Sequence, residues 1–510
     1  MQPLKPRFEN FGLWLGLVLF FVVLWLPVFP SPSIQNMSAV AVLMVTWWIL
    51  EALPLAATAL LPLVLFPLLG ITSGKEVASV YMNSTIFLFI GGFVLALSMQ
   101  RWDLHSRIAL RIISWFHGST RLMVFGFMLT GAGLSMWISN TATATMLLPI
   151  GLAVYVRTSE QLDESDRQAL LTALMLGIAY SCSIGGTGTL IGTPPNMAMQ
   201  RIFEITFPSA PAISFAQWLM FALPLTLGLL FTAWYVITTR YTGKNFPSLA
   251  QSASVIGGKK QAMSFEEKIV ATVFTATAFC WIFRQDIIIG EFLIPGWSRL
   301  FEHGKLINDG TIAMASALLL FAIPSRNQSR FKKIADIDTI SELPWKIVLL
   351  FGGGFALARG FTASGLSEFI GQQFIGLQDA SIFSLIASVS AMVVFLTEVT
   401  SNTATAEMLL PLVASIAKAI EINPLLLMLP VTLSASMAFM MPVATPPNAI
   451  VFASGQLKIR DMVITGFIIN LIAITLITLT TYFWGMQVFA IDPAVIPDWA
   501  SASASALQKP

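Results

Sequence analysis

One eleven-residue string occurs twice in this chain. Ser-Asn-Thr-Ala-Thr-Ala-Thr-Met-Leu-Leu-Pro runs from Ser139 to Pro149, and Ser-Asn-Thr-Ala-Thr-Ala-Glu-Met-Leu-Leu-Pro runs from Ser401 to Pro411, so that only Thr145 and Glu407 differ. The same offset of 262 residues carries Gly91-Gly92-Phe93 onto Gly353-Gly354-Phe355. A second pair of strings follows, Thr193-Pro194-Pro195-Asn196 and Thr445-Pro446-Pro447-Asn448, at an offset of 252. An ordered pair of motifs in both halves constrains the chain to an internally duplicated fold.

The solvent of that fold is lipid. Hydrophobic residues make up 56% of the chain and charged residues 11%, where a soluble domain has about a quarter of its residues charged. A membrane crossing takes about 20 mostly apolar residues. The apolar runs 11–29, 37–52, 53–70, 85–100, 169–200, 218–239, 269–285, 308–324, 346–362, 424–455 and 461–489 read as eleven spans. The first follows Lys5 and Arg7 as a signal peptide would, but its length, its tryptophans and the absence of a small-x-small cleavage site read as a retained span. Cys182 and Cys280 both lie in apolar runs and indicate neither a disulfide nor a metal site.

Two further apolar stretches, 122–156 and 381–420, each surround a Ser-Asn-Thr and are too long for one crossing. Each reads as a hairpin that enters the membrane and returns. With the N-terminus cytoplasmic, this topology places 20 of the 28 Lys and Arg residues inside, the asymmetry expected of cytoplasmic loops. Residues 101–117 carry Arg101, Arg107 and Arg111 on one face and read as an interfacial helix, whereas the counterpart at 363–378 has Glu368 and no Lys or Arg. The two copies then face opposite sides. The expected organisation is an N-terminus and first helix over 1–36, an inverted repeat over 37–239, a cytoplasmic linker over 240–268, a second repeat over 269–489 and a flexible, external tail over 490–510.

Gly185-Gly186-Thr187-Gly188-Thr189 with Gly192-Thr193-Pro194, and Met441-Pro442-Val443-Ala444-Thr445-Pro446, cannot continue a regular helix. Backbone left unpaired at membrane depth is tolerated only in protein or beside a polar cavity. Half-helix N-termini suit a carboxylate, while free carbonyls and hydroxyls suit a hard cation. Asn140, Thr141, Asn402 and Thr403 add side-chain donors. A lone Ser-Asn-Thr could simply pack helices together, but repetition beside paired Thr-Pro-Pro-Asn strings argues for a site.

Two Ser-Asn-Thr tips, each followed by a Gly/Ala-Thr-Pro-Pro-Asn break, resemble the divalent anion/sodium symporter family of sodium-coupled dicarboxylate, citrate and sulfate carriers, over about residues 11–490. The resemblance implies an all-α integral membrane homodimer with scaffold and mobile transport domains in each protomer, working as an elevator. It implies a first sodium site at Ser135, Ser139, Asn140 and Gly192 and a second at Thr397, Thr400, Asn402 and Ala444. Substrate would be held by Asn140, Thr141, Asn402 and Thr403, with Thr193 and Pro446 close by. Glu398 and Glu407 are ionisable groups in apolar sequence and are candidates for function.

An enzyme has little support, since no His-Glu-x-x-His or Gly-x-Ser-x-Gly occurs and no base accompanies Ser139 or Ser401. The expected activity is sodium-driven uptake of a small dianion, a C4-dicarboxylate such as succinate, malate or fumarate, across the cell inner (plasma) membrane. A sodium-independent dicarboxylate exchanger, or a sulfate or citrate symporter, is the alternative. Sodium ions and membrane lipid are the remaining expected partners, with no organic cofactor and no nucleic acid.

Overall fold

Helices build most of the described residues. The computed structural model describes residues 6–116, 119–159, 162–242, 262–289, 292–327, 331–493 and 495–501. In the first half, α1 (Pro6–Trp25) and α2 (Pro32–Ile49) lead to α3 (Leu55–Thr58), α4 (Leu61–Leu68), α5 (Gly74–Val80) and α6 (Ser84–Arg101). The apolar run 53–70 is divided because Pro54 stands just before α3 and Pro62 in the first turn of α4, where a missing N–H is tolerated. Next comes α7 (Leu104–Ile113), inside the stretch read as interfacial. Two of its flanking arginines are tied to the second half: Arg101 lies 2.6 Å from Asp336, and Arg107 lies 2.7 Å from Glu267.

A helical hairpin follows, α8 (Thr120–Ser135) and α9 (Asn140–Thr158), with Ser139 capping α9 through Ala142 N–H at 3.2 Å. Then come α10 (Glu164–Gly186), the break, α11 (Pro194–Thr206) and the long α12 (Phe215–Tyr241). Most of the expected linker, including Gly257 to Lys260, lies outside the described residues.

In the second half, α13 (Phe265–Ile282), α14 (Asp309–Ala322), α15 (Ile337–Ser341), α16 (Trp345–Ser364) and α17 (Leu366–Gln372) precede a second hairpin, α18 (Ile382–Thr397) and α19 (Asn402–Ala419). Then α20 (Leu425–Ser434), another break, α21 (Pro446–Ala453) and α22 (Ile459–Leu479) follow. The succession of hairpin, broken helix and long helix therefore occurs twice. The halves interlock, since α9 packs on α21 and α11 packs on α19.

Among the described residues, five segments are long and apolar enough to cross a membrane unaided: Gly74–Arg101, Glu164–Gly186, Phe215–Tyr241, Trp345–Ser364 and Ile459–Val488. The runs 53–70 and 424–455 are instead divided between shorter helices, with prolines at the interruptions. The apolar core has two parts, and α16 lies between them. Leu350, Leu357 and Phe361 face the smaller core, formed with α1 to α5, while Val348, Phe351 and Phe355 face the larger one.

Two details depart from the sequence reading. The chain is not wholly α, because Ile287–Ile289 pairs antiparallel with Phe292–Ile294 in the connection between α13 and α14; isoleucine-rich, β-branched sequence favours the extended form there. The tail is not loose as far as Ser501. Trp499 stacks edgewise on Phe203 and Phe207 of α11, at 5.3 and 5.4 Å between ring centroids, and Ala500 is buried. Residues 502–510 lie outside the described residues.

Candidate functional site

The first hairpin and the first break meet around a set of unpaired oxygens. Ser135 Oγ, on the last residue of α8, and Asn140 Oδ1, on the first of α9, are both buried and without a hydrogen-bond partner. Gly186 ends α10 beside Asn140: a Cβ there would lie 2.8 Å from Asn140 Oδ1 and 3.2 Å from the Gly192 carbonyl oxygen. Asn140 and Gly192 are thus brought together, with Gly186 as the floor. A buried oxygen left unpaired costs about 1–3 kcal/mol, and a hard cation relieves that cost by taking oxygen ligands. Ser139 is the exception in this set, because its hydroxyl already accepts from Ala142 N–H.

In the second half, Thr397 Oγ1 lies 2.8 Å from both Asn402 Oδ1 and the Ala435 carbonyl. These three oxygens share one hydroxyl proton, so one of the two acceptors always lacks it. Thr397 and Asn402 are therefore joined. Thr400 turns its hydroxyl back into the hairpin, 2.8 Å from the Leu396 carbonyl and 2.6 Å from Thr405 Oγ1. Ala444 sits in the second break with its N–H on the Met441 carbonyl at 3.2 Å.

Both breaks are fastened in the same way. Asn196 Nδ2 donates to the carbonyls of Gly186 and Thr189 at 3.2 and 2.7 Å. Asn448 Nδ2 donates to those of Ala438 and Met441 at 3.0 and 3.1 Å. Both acceptor pairs are related by the 252-residue offset. The asparagine of each Thr-Pro-Pro-Asn string therefore ties off the break that precedes it. The repeat was visible in the sequence, but its asparagine carried no assignment there.

Glu398 is a second fastening that sequence reasoning left undefined. Its carboxylate accepts from the backbone N–H groups of Phe439, Met440 and Met441 at 2.7, 2.9 and 2.9 Å, and from Asn470 Nδ2 at 2.7 Å. It holds the second hairpin tip to the second break. The position equivalent by 262 residues is Met136, whose carbonyl accepts from Thr189 Oγ1 at 2.5 Å. One carboxylate and one carbonyl thus do the same work in the two halves.

The expected substrate residues are not equally available. Thr141 and Pro446 are exposed, Asn140 and Asn402 half-buried, and Thr193 and Thr403 buried. The hairpin tips differ as well: Trp137 stacks on Phe215 and packs edgewise on Phe274, whereas its counterpart Val399 is 71% exposed. The helices α9, α11, α19 and α21 all begin at these motifs, but the first two residues of α11 and of α21 are prolines, and the Asn196 and Asn448 N–H groups already donate to the Thr193 carbonyl and Thr445 Oγ1 at 3.2 and 3.3 Å, so free N–H groups are left to the ends of α9 and α19. None of the expected site residues is a lysine or arginine.

Paired hairpins and broken helices with buried, unpaired oxygens, in so apolar a chain, define a membrane transporter. The chain belongs to the family described as the sodium:sulfate symporter transmembrane region, which matches residues 9–491. It is 41% identical over 493 residues to the sodium-dependent dicarboxylate transporter SdcS of Staphylococcus saprophyticus, covering 94% of this chain and 92% of that protein. SdcS of Staphylococcus aureus is 41% identical over 498 residues, with the same coverage. Among solved structures, MtrF of Neisseria gonorrhoeae superposes with a TM-score of 0.58 at 14% identity, over 92% of this chain and 98% of that one. YdaH of Alcanivorax borkumensis does so with a TM-score of 0.52 at 12% identity, over 90% and 99%. These two likenesses concern the fold alone.

Proposed function

We propose that the protein is a secondary transporter that couples sodium entry to uptake of a small dianion, a C4-dicarboxylate such as succinate, malate or fumarate. The observation that carries this reading is the unpaired, buried Asn140 Oδ1 at the start of α9, brought beside the Gly192 carbonyl oxygen at Gly186, with a second unpaired oxygen on Ser135 of the same hairpin and no cationic side chain among the site residues. A dianion there needs its charge offset, and sodium at the two oxygen sets supplies that offset. The identity with sodium-dependent dicarboxylate transporters supports the same substrate class.

Sodium occupies one site built on Ser135, Asn140 and Gly192 with Ser139, and a second built on Thr397 and Asn402 with Thr400 and Ala444. Asn140, Thr141, Asn402 and Thr403 bind the carboxylates, near Thr193 and Pro446. The protein works as a homodimer in the inner (plasma) membrane, with eleven spans, two re-entrant hairpins, a cytoplasmic N-terminus and an external C-terminus. Its inverted repeats form a scaffold and a transport domain that slides as an elevator. The test is succinate uptake into proteoliposomes under an inward sodium gradient, then with potassium in place of sodium. Uptake that collapses without sodium supports the reading. Uptake that ignores sodium and requires internal dicarboxylate points to an exchanger, and no succinate uptake moves sulfate and citrate forward.

A further inference from the structure

Five carboxylates are buried among the described residues: Glu266, Glu267, Asp309, Glu398 and Glu407. Four have donors. Ser325 Oγ and two backbone N–H groups serve Glu266, Arg107 serves Glu267, Arg284 serves Asp309 at 2.6 Å, and the second break serves Glu398. Glu407 alone has both oxygens buried and unpartnered, and it is 0% exposed.

Its seat is specific. Glu407 on α19 lies against Gly354 on α16, where an added Cβ would stand 2.6 Å from its Cγ and 2.7 Å from its Cδ. The neighbouring Gly353 backs onto Ala59 in the same way, and Gly352 onto Tyr81, whose hydroxyl donates to the Ala59 carbonyl. Tyr81 is the titratable neighbour of Glu407. The charges on elements packed against α19 are engaged elsewhere or exposed. Arg201 and Glu204 of α11 pair at 3.0 Å, Glu368 of α17 pairs with Lys418 of α19 at 3.5 Å, and Lys346 and Arg359 of α16 are exposed. The helices α2, α18 and α20 carry no charged residue.

An unpaired charge in such a place costs several kcal/mol, and a carboxylate meets that cost by taking a proton. We propose that Glu407 is a proton-binding site at the contact between the second hairpin and α16, filled while the hairpin rests on Gly354 and emptied to water when that contact opens. The inference rests on the proposed movement of the hairpins past α16. The proton comes from bulk water and returns to it, so acid favours the arrangement in this structure. The first half has no equivalent device. Thr145, the counterpart of Glu407, is exposed and donates to the Thr141 carbonyl at 2.8 Å, and Gly92, the counterpart of Gly354, faces Ile191.

Infrared spectroscopy of the full chain in liposomes at neutral pH tests the site without any transport. The wild type shows the C=O stretch of a protonated carboxylic acid, shifted in heavy water, and Glu407→Gln loses it. Glu407→Thr, which makes the second hairpin match the first, loses it too and guards against misfolding of one variant. A band absent from the wild type, or unchanged in both variants, overturns the proposal. The ratio of wild-type to Glu407→Gln uptake, at saturating sodium and succinate, then reads the movement: the substrate's own titration cancels, and the ratio changes with pH. A ratio flat across pH contradicts the emptying step. Sodium dependence of the uptake itself reports separately on the transport reading.

Discussion

An alanine at Gly186 adds one methyl group where the first oxygen pocket converges. Its Cβ would lie 2.8 Å from Asn140 Oδ1, 3.0 Å from Asn140 Nδ2 and 3.2 Å from the Gly192 carbonyl oxygen. To reach an ordinary separation of about 3.5 Å, Asn140 has to retreat by roughly 0.7 Å, taking a cation ligand out of place. Overpacking of this kind costs about 1–3 kcal/mol. If that cost falls on the sodium-bound state, sodium binds about 5- to 150-fold more weakly. Gly133→Ala on α8 of the same hairpin is the control, because nothing lies within 4 Å of a Cβ there and a helix interior gains about 1 kcal/mol from the exchange. The assay is thermal unfolding in detergent against sodium concentration, since an ion that binds only the native state raises the unfolding temperature. The sodium concentration at which the unfolding temperature begins to rise should be higher for Gly186→Ala and unchanged for Gly133→Ala. Equal sodium dependence in the wild type and Gly186→Ala would refute the placement of the site.

Three further outcomes follow from the fastenings and the surface. Glu398→Gln replaces a carboxylate holding four donors by a single acceptor oxygen. Hydrogen bonds to a charged group contribute about 1.5–3 kcal/mol each, so the unfolding temperature should fall and the sodium requirement for uptake rise; an unchanged sodium requirement would show that the brace does not shape the site. Asn448→Ala strands the Ala438 carbonyl and leaves the Met441 carbonyl with the Ala444 N–H alone, and should lower the unfolding temperature, as should Asn196→Ala in the first break. Asn448→Asp should not restore it, because aspartate has no donor, and full restoration would contradict the fastening. Burial alone would push the Glu266 carboxyl up, but its own N–H, the Asn327 N–H, the Ser325 hydroxyl and the Arg326 N–H together bring it down to about 2. Its folded value lies below the ordinary 4.5, so its stabilisation is complete above about pH 4.5 and is lost as pH falls toward 2. Unfolding temperatures across that window should fall more steeply for the wild type than for Glu266→Gln, and parallel curves would contradict the assignment.

The hairpin tips and the helix breaks were legible because their local chemistry is covalently fixed. The Thr-Pro-Pro-Asn strings and the glycines and prolines just before them mark the two helix breaks, and a repeated Ser-Asn-Thr can be read without any tertiary information. What the sequence withheld depends on distant partners. Nothing local to Glu398 says that three consecutive N–H groups about forty residues onward will point at it, and nothing local to Gly354 says that Glu407 will lie on it. The Asn196 and Asn448 fastenings fall between these cases. They span seven to ten residues, so the repeated string together with its preceding break could have revealed them. The docked Trp499 was missed because an Ala- and Ser-rich tail resembles linker sequence, and one aromatic side chain decides its packing.

Coupling is the central claim, and reciprocity offers its most direct test, since a substrate that moves only with sodium must also be able to drive sodium. Proteoliposomes with equal sodium on both sides would be given an inward succinate gradient, and entry of radioactive sodium would be followed. The account predicts sodium accumulation that requires succinate and disappears in Asn140→Ala and Asn402→Ala. Sodium entry indifferent to succinate, while succinate itself enters, would contradict it.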